Sequence, residues 1–254
     1  HGDRSFQVGA LDQAITGTRI TLFKRMSPGQ VPAYVRDCRW ILEWWCEHSD
    51  TLVTFWDRTQ EQEEPGSQDP FAAFSGTGSA GAEQVNVPLD LRGSLLAERL
   101  DQGGVSVIVG NGKPPRYAFY NGGLTLLSGN NSEVLGGHAP RLQHLSFKLK
   151  CDALEHTLTR DNVIQDGQWS QAMLVLVAAA DQLRESLIQA TVQAAANGQD
   201  LEALHRALVQ EVGVPGGQKW LASKRQEALF LNTNGMPLSM AQIEAQEGHQ
   251  GAVL

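Results

Sequence analysis

The chain has 254 residues, 41% of them hydrophobic, enough for one large or two modest domains with their own core. A formal charge of −8 leaves no general surplus of Lys and Arg, which argues against whole-molecule attraction to nucleic acid or an anionic membrane. Three cysteines, Cys38, Cys46 and Cys151, form neither an even set nor a CxxC pair, which speaks against a disulfide framework and structural zinc and for reduced thiols in a cytosol.

Residues 4–9 (RSFQVG) and 17–25 (GTRITLFKR) alternate apolar with polar at period two and read as half-buried strands. After Pro28-Gly29, residues 31–48 place Val31, Tyr34, Val35, Cys38, Ile41, Leu42, Trp45 and Cys46 on one helical stripe, with Trp40 and Trp44 to its side as a domain contact. Residues 51–56 (TLVTFW) make a strand. From 57 to 84 the composition turns acidic (EQEE at 61–64) and then rich in Gly, Ser and Ala, which reads as a linker. Strand-like runs follow at 105–109, 116–120, 124–127 and 142–149, separated by Gly, Asn and Pro turns.

Strands then give way to helices. Residues 168–196 form a long helix with Trp169, Met173, Leu176, Ala180, Leu183 and Leu187 at helical spacing, and Asn197-Gly198 stops it. A shorter helix covers 199–211, and strands at 227–232 and 251–254 flank a helix at 239–247. The longest apolar stretch, Met173 to Ala180, is far short of the roughly 20 residues of a membrane helix. His1 reads as a cut edge and the last residues as an interrupted strand, so a fragment is expected.

Motifs that carry chemistry are sparse. Asp152, Glu155, His156 and Asp161 lack a HExxH or paired-His spacing, so no metal is expected. No GxSxG elbow and no GxxxxGK[ST] phosphate loop occurs. Gly110-Asn111-Gly112-Lys113 has the composition to wrap a phosphate, but the two prolines after it forbid a helix start, so a hairpin turn is the better reading.

Separated segments resemble one family in the correct order. Gly17 to Lys24 (GTRITLFK), with the helix and strand after it, looks like the end of the ATPase domain of the ninety-kilodalton heat-shock chaperones, and the acidic stretch 57–84 sits where that family has a charged linker. Arg116 to Leu127 (RYAFYNGGLTLL) is similar to a strand pair of the family's middle domain, and Leu154 to Asp166 (LEHTLTRDNVIQD) to its Leu-Asn-x-Ser-Arg-Glu loop. Leu229 to Leu254 is similar to the unit that closes that domain.

The resemblance implies an α/β (α+β) chain: residues 1–56 as the remnant of a GHKL-type ATPase sandwich, 57–84 as flexible linker, and 85–254 as a middle domain of ribosomal protein S5-like type. That middle domain would be strand-rich over 85–167, helical over 168–212 and closed by a small α/β unit over 218–254, with the two lobes loosely oriented. It also implies that Gly17 and Thr18 lie on the adenine side of bound ATP and that Arg160 reaches the γ-phosphate, a task suited to a planar, permanently charged guanidinium. Gln165 is a second catalytic candidate by the same resemblance, although it lies one residue further from Arg160 than the corresponding Gln of the family.

ATP with Mg2+ is then the cofactor of the full-length parent. None is expected to bind tightly here, because the nucleotide-binding elements that precede the Gly-Thr strand in the family do not precede Gly17. Implied partners are unfolded or client proteins, the missing ATPase domain and a second copy in a homodimer, all cytoplasmic, without nucleic acid or membrane. Trp40, Trp44, Phe71, Phe74 and Trp169 are candidates for client contact, with core packing the expected fate of Trp169. Two alternatives stay open: the transducer region of a mismatch-repair or topoisomerase-like GHKL ATPase, and a non-catalytic interaction module.

Overall fold

The computed structural model describes residues 24–57, 59, 82–111, 114–157 and 162–250. Its organising element is a mixed five-stranded sheet of β3 (Ala97–Gln102), β4 (Val105–Gly110), β5 (Tyr117–Asn121), β6 (Leu124–Gly129) and β7 (Ser146–Cys151), in the order β3-β4-β7-β5-β6. Only β5 and β7 run parallel. Two-residue glycine turns close the hairpins: Gly103-Gly104 joins β3 to β4 and Gly122-Gly123 joins β5 to β6, all four at positive φ, as the twist of tight hairpins demands. The turn expected at 110–113 closes no hairpin, because β7 lies between β4 and β5.

Period-two alternation gives the sheet two unlike faces. On one, Val105, Val107, Val109, Phe119, Phe147 and Leu149 are buried. On the other, the same strands present Ser106, Ile108, Tyr120, Lys148 and Lys150. The first face packs under α3 (Gly167–Ala196), where Trp169 meets Phe119 at 4.8 Å between ring centroids, which confirms its core role. Asp166 caps α3 by accepting from Gln168 N and Trp169 N, and Gly198, at φ 62°, ends it.

The 30 residues of α3 span about 45 Å and join two cores. The first, under the sheet, takes its residues up to Leu183. The second takes Leu187, Ile188, Ala194 and Ala195, with α4 (Glu202–Val212) and Leu229. The chain continues through α5 (Gly217–Ser223), the short pair β8 (Phe230–Leu231) and β9 (Pro237–Leu238), and α6 (Met240–Gln250). Ser239 and Gln242 form a reciprocal capping box at the start of α6.

The second face of the sheet is covered by the N-terminal part of the described chain. α1 (Val31–Cys46) follows a 3-10 turn at Pro28–Gln30 and lies against β6, with Thr125 Oγ1 donating to Trp44 O at 2.7 Å. No residue of α1 is fully buried, and Tyr34, Ile41 and Trp45 of the expected apolar stripe stand exposed while Trp44 turns to the sheet. β1 (Thr54–Trp56) pairs with β2 (Ala82–Gln84), so the last residues of the expected linker are a strand.

Nor is residue 85 a loose joint. Val87 N donates to Glu47 O (2.7 Å), Asn86 Nδ2 to Ser49 O (3.0 Å) and Val53 N to Asn86 Oδ1 (2.8 Å). A Cβ at Gly123 would stand 1.8 Å from His48 O, so only glycine lets the β5–β6 turn and the 48–49 backbone approach this closely. The expected loose orientation gives way to a segment hydrogen-bonded onto the sheet.

Two further differences come from short elements. Residue 142, expected to open a strand over 142–149, instead ends the one-turn helix α2 (Ala139–Leu142) after a 3-10 stretch at Ser132–His138, and β7 starts only at Ser146. The strands proposed at 4–9 and 251–254, and residues 17–23, lie outside the described residues.

Candidate functional site

Beyond β7 the chain forms a loop whose two limbs are anchored in the first core by Leu154 and Val163, both nearly inaccessible. His156 and Val163 make an antiparallel bridge, Thr157 N donates to Asn162 O at 2.9 Å, and Ile164 N donates to Glu155 O at 2.8 Å. This short ladder brackets positions 158–161. Its base is tied to the β5–β6 turn, because Asn121 Nδ2 donates to both Asp152 O (2.9 Å) and Leu154 O (2.7 Å), and Gly122 N donates to Asp152 Oδ1 (3.0 Å). Gln165 Nε2 donates to Val134 O at 3.0 Å, which ties the returning limb to the 3-10 stretch before α2.

Of the residues expected at a nucleotide, Gly17, Thr18 and Arg160 lie outside the described residues, and Gln165 is engaged as above. Asp152 is a backbone acceptor, and His156 Nδ1 stands 3.1 Å from Thr157 O. Among the described residues no three His, Cys, Asp or Glu side chains gather as a metal group would require. The three cysteines are free, Cys151 buried. No described helix is long and apolar enough to cross a membrane.

A second constellation sits on the polar face of the sheet. Lys148 Nζ donates to Glu47 Oε2 at 3.0 Å and lies 2.8 Å from His48 Nε2. His48 Nδ1 is 3.0 Å from Val87 O and donates to it, and its Nε2 also faces Glu47 Oε2 at 3.3 Å. The His48 ring and the Lys148 ammonium outweigh partial burial and hold the Glu47 carboxyl down at about 2. Lys150 pairs with Asp50 in the same way. Tyr120, under the edge of His48 at 5.0 Å, has its phenol pushed well up by burial, with the Glu47 charge adding to it.

Beside this cluster, α1 and the sheet enclose a groove of about 640 Å³. Trp40 and Trp44 stack along it at 5.8 Å and 23°, and the Arg116 guanidinium lies over the Trp44 ring at 5.7 Å. Such a wall of indole and guanidinium offers apolar area and a cation side by side.

A third cluster joins the two cores. Glu211 of α4, almost wholly buried, accepts from Arg184 Nε at 2.6 Å and meets His144 Nε2 at 2.6 Å, while Arg184 and Arg141 both pair with Asp181. Burial raises the Glu211 carboxyl, but His144 and Arg184 outweigh it, so the net shift is downward.

None of these clusters is a local motif. Glu47 and Lys148 stand 101 residues apart, His144 and Glu211 67. The available signal was the alternation in Ser146 to Cys151 (SFKLKC), where Lys148 and Lys150 fall on the face away from the core. Alternation shows which face they occupy, but not which acids meet them. Compared with protein-family models and with curated proteins, the chain matches none.

Proposed function

We propose that this chain is the end of a GHKL-type ATPase domain joined to a ribosomal protein S5-like middle domain of an ATP-dependent chaperone of the ninety-kilodalton heat-shock type. The parent would act as a cytoplasmic homodimer that assists the folding of client proteins. The observation that carries the reading is the bracketed loop: Arg160 falls between two limbs laddered together, anchored by Leu154 and Val163 and set directly before the capped start of α3. Such a base suits an arginine that must reach a site on another unit, since a guanidinium stabilises phosphoryl charge only when its approach is preorganised.

The donor chemistry fits one contact to the γ-phosphate of ATP. Among the described residues no phosphate loop completes a nucleotide pocket, since Asn111 is taken up in holding Leu95 and Leu96. ATP with Mg2+ would supply the phosphoryl group. Arg160 would bind its γ-oxygens, Gly17 and Thr18 would face the adenine, and Gln165 would hold the returning limb of the loop in place. The test is ATP turnover and ATP affinity of the full-length protein that carries this chain, wild type against Arg160→Ala. Turnover is expected to fall about ten-fold or more with affinity nearly unchanged; unchanged turnover overturns the reading.

A further inference from the structure

Among the described residues, the groove between α1 and the sheet holds one charged side chain without an ion-pair partner. Asp90 pairs with Arg92 at 3.0 Å, Glu47 with Lys148 at 3.0 Å, and Glu43 with Arg39 at 2.9 Å. Arg116 is left, and among the described residues it meets no carboxylate within ion-pair distance. Its contact is the Trp44 ring, and the outer face of that stack, Trp40, is 59% exposed. One free cation against an open aromatic wall recognises an anion that carries apolar area beside it.

We propose that this groove takes an extended segment of a partner protein in which an aromatic or large aliphatic residue stands next to an Asp or Glu. The carboxylate pairs with Arg116 and the apolar neighbour covers Trp40. Two observations favour a chain over a small molecule. The lining comes from three separate parts of the chain, Trp40 and Trp44 of α1, Asp90 to Arg92, and strands β5 to β7, so the groove offers a surface several residues wide. Its volume of about 640 Å³ also exceeds by several times what one aromatic ring with its carboxylate fills. The inference deepens the chaperone reading by naming the chemistry of the client segment, and rests on that reading for the partner being an unfolded chain.

The experiment is calorimetric titration of the full chain with a blocked peptide carrying a central Phe-Asp pair, against its Phe-Asn and Phe-Lys counterparts and against free phenylacetate. Phe-Asp is expected to bind about five-fold more tightly than Phe-Asn, with Phe-Lys weakest. Arg116→Gln should erase that order, and Trp40→Ala should weaken all three peptides. Both side chains are exposed, so the variants should keep the wild-type circular dichroism. Equal affinity for the three peptides, or an unchanged order in Arg116→Gln, overturns the proposal, and phenylacetate binding as tightly as the peptide overturns the extended-chain occupant. Turnover of Arg160→Ala is read separately: peptide selectivity with unaltered turnover keeps the groove and removes the ATPase reading, and the reverse result does the opposite.

Discussion

The two faces of the five-stranded sheet are built from the same residues in alternation and are held by different physics. Under α3, Phe119, Phe147, Leu149 and their neighbours exclude water and are stabilised by buried apolar area. On the opposite face Lys148 and Lys150 meet Glu47, His48 and Asp50 in a half-wet layer whose pairs mainly fix where the 44–53 segment lies. The first face therefore carries stability, and the second carries register and a groove.

The largest expected effect that would break this contrast is on the dry side. Phe147→Ala, which removes a ring packed against Tyr117 and Phe119, should cost about 4 kcal/mol in urea denaturation. A loss near 1 kcal/mol would mean that the two faces are not so unlike.

Glu211→Gln comes next, at about 3 kcal/mol by the same measurement, because it leaves the buried Arg184 with a neutral partner. It tests whether a charge behaves differently once it is buried between the cores.

On the wet face the effect should be smaller and pH-dependent. Glu47 titrates at about 2 when folded against an ordinary 4.5, so its contribution is present above 4.5 and fades as pH falls from there toward 2. With the side chain 40% exposed, the stability difference between wild type and Glu47→Gln should be roughly 1 kcal/mol at pH 6 and should vanish near pH 2. A gap that persists at pH 2 would assign the effect to packing. Last, Arg99→Gln should change stability by less than about 0.5 kcal/mol, since its pair with Asp101 is open to water.

Much of the dry face was legible, because valines and aromatics at period two and the spacing of α3 record burial directly in the sequence. Val105 to Val109 and the start of α3 fall within a residue of expectation. The wet face was not, because its partners are long-range. The acid that meets Lys148, Glu47, stands 101 residues away, and the 48–49 backbone comes close to the β5–β6 turn only because residue 123 is a glycine. The start of β7 was misread for a related reason: Leu142 and Leu145 are apolar because they enter the core from a turn, and in sequence they resemble strand positions. Of the candidate site, the loop around Arg160 was legible as a resemblance, whereas the Arg116–Trp44–Trp40 stack carries no motif.

The place of β7 has a consequence for how the molecule is made. It is the last strand of the sheet to be synthesised and the one that must sit in the middle, between β4 and β5. The 35 residues from 111 to 145 separate its first residue from the end of β4, which at ribosomal speed is a wait of about 2–7 s. Until it arrives, β4 and β5 lack the neighbour that each has in the finished sheet, and an unpaired strand edge is a template for a foreign strand.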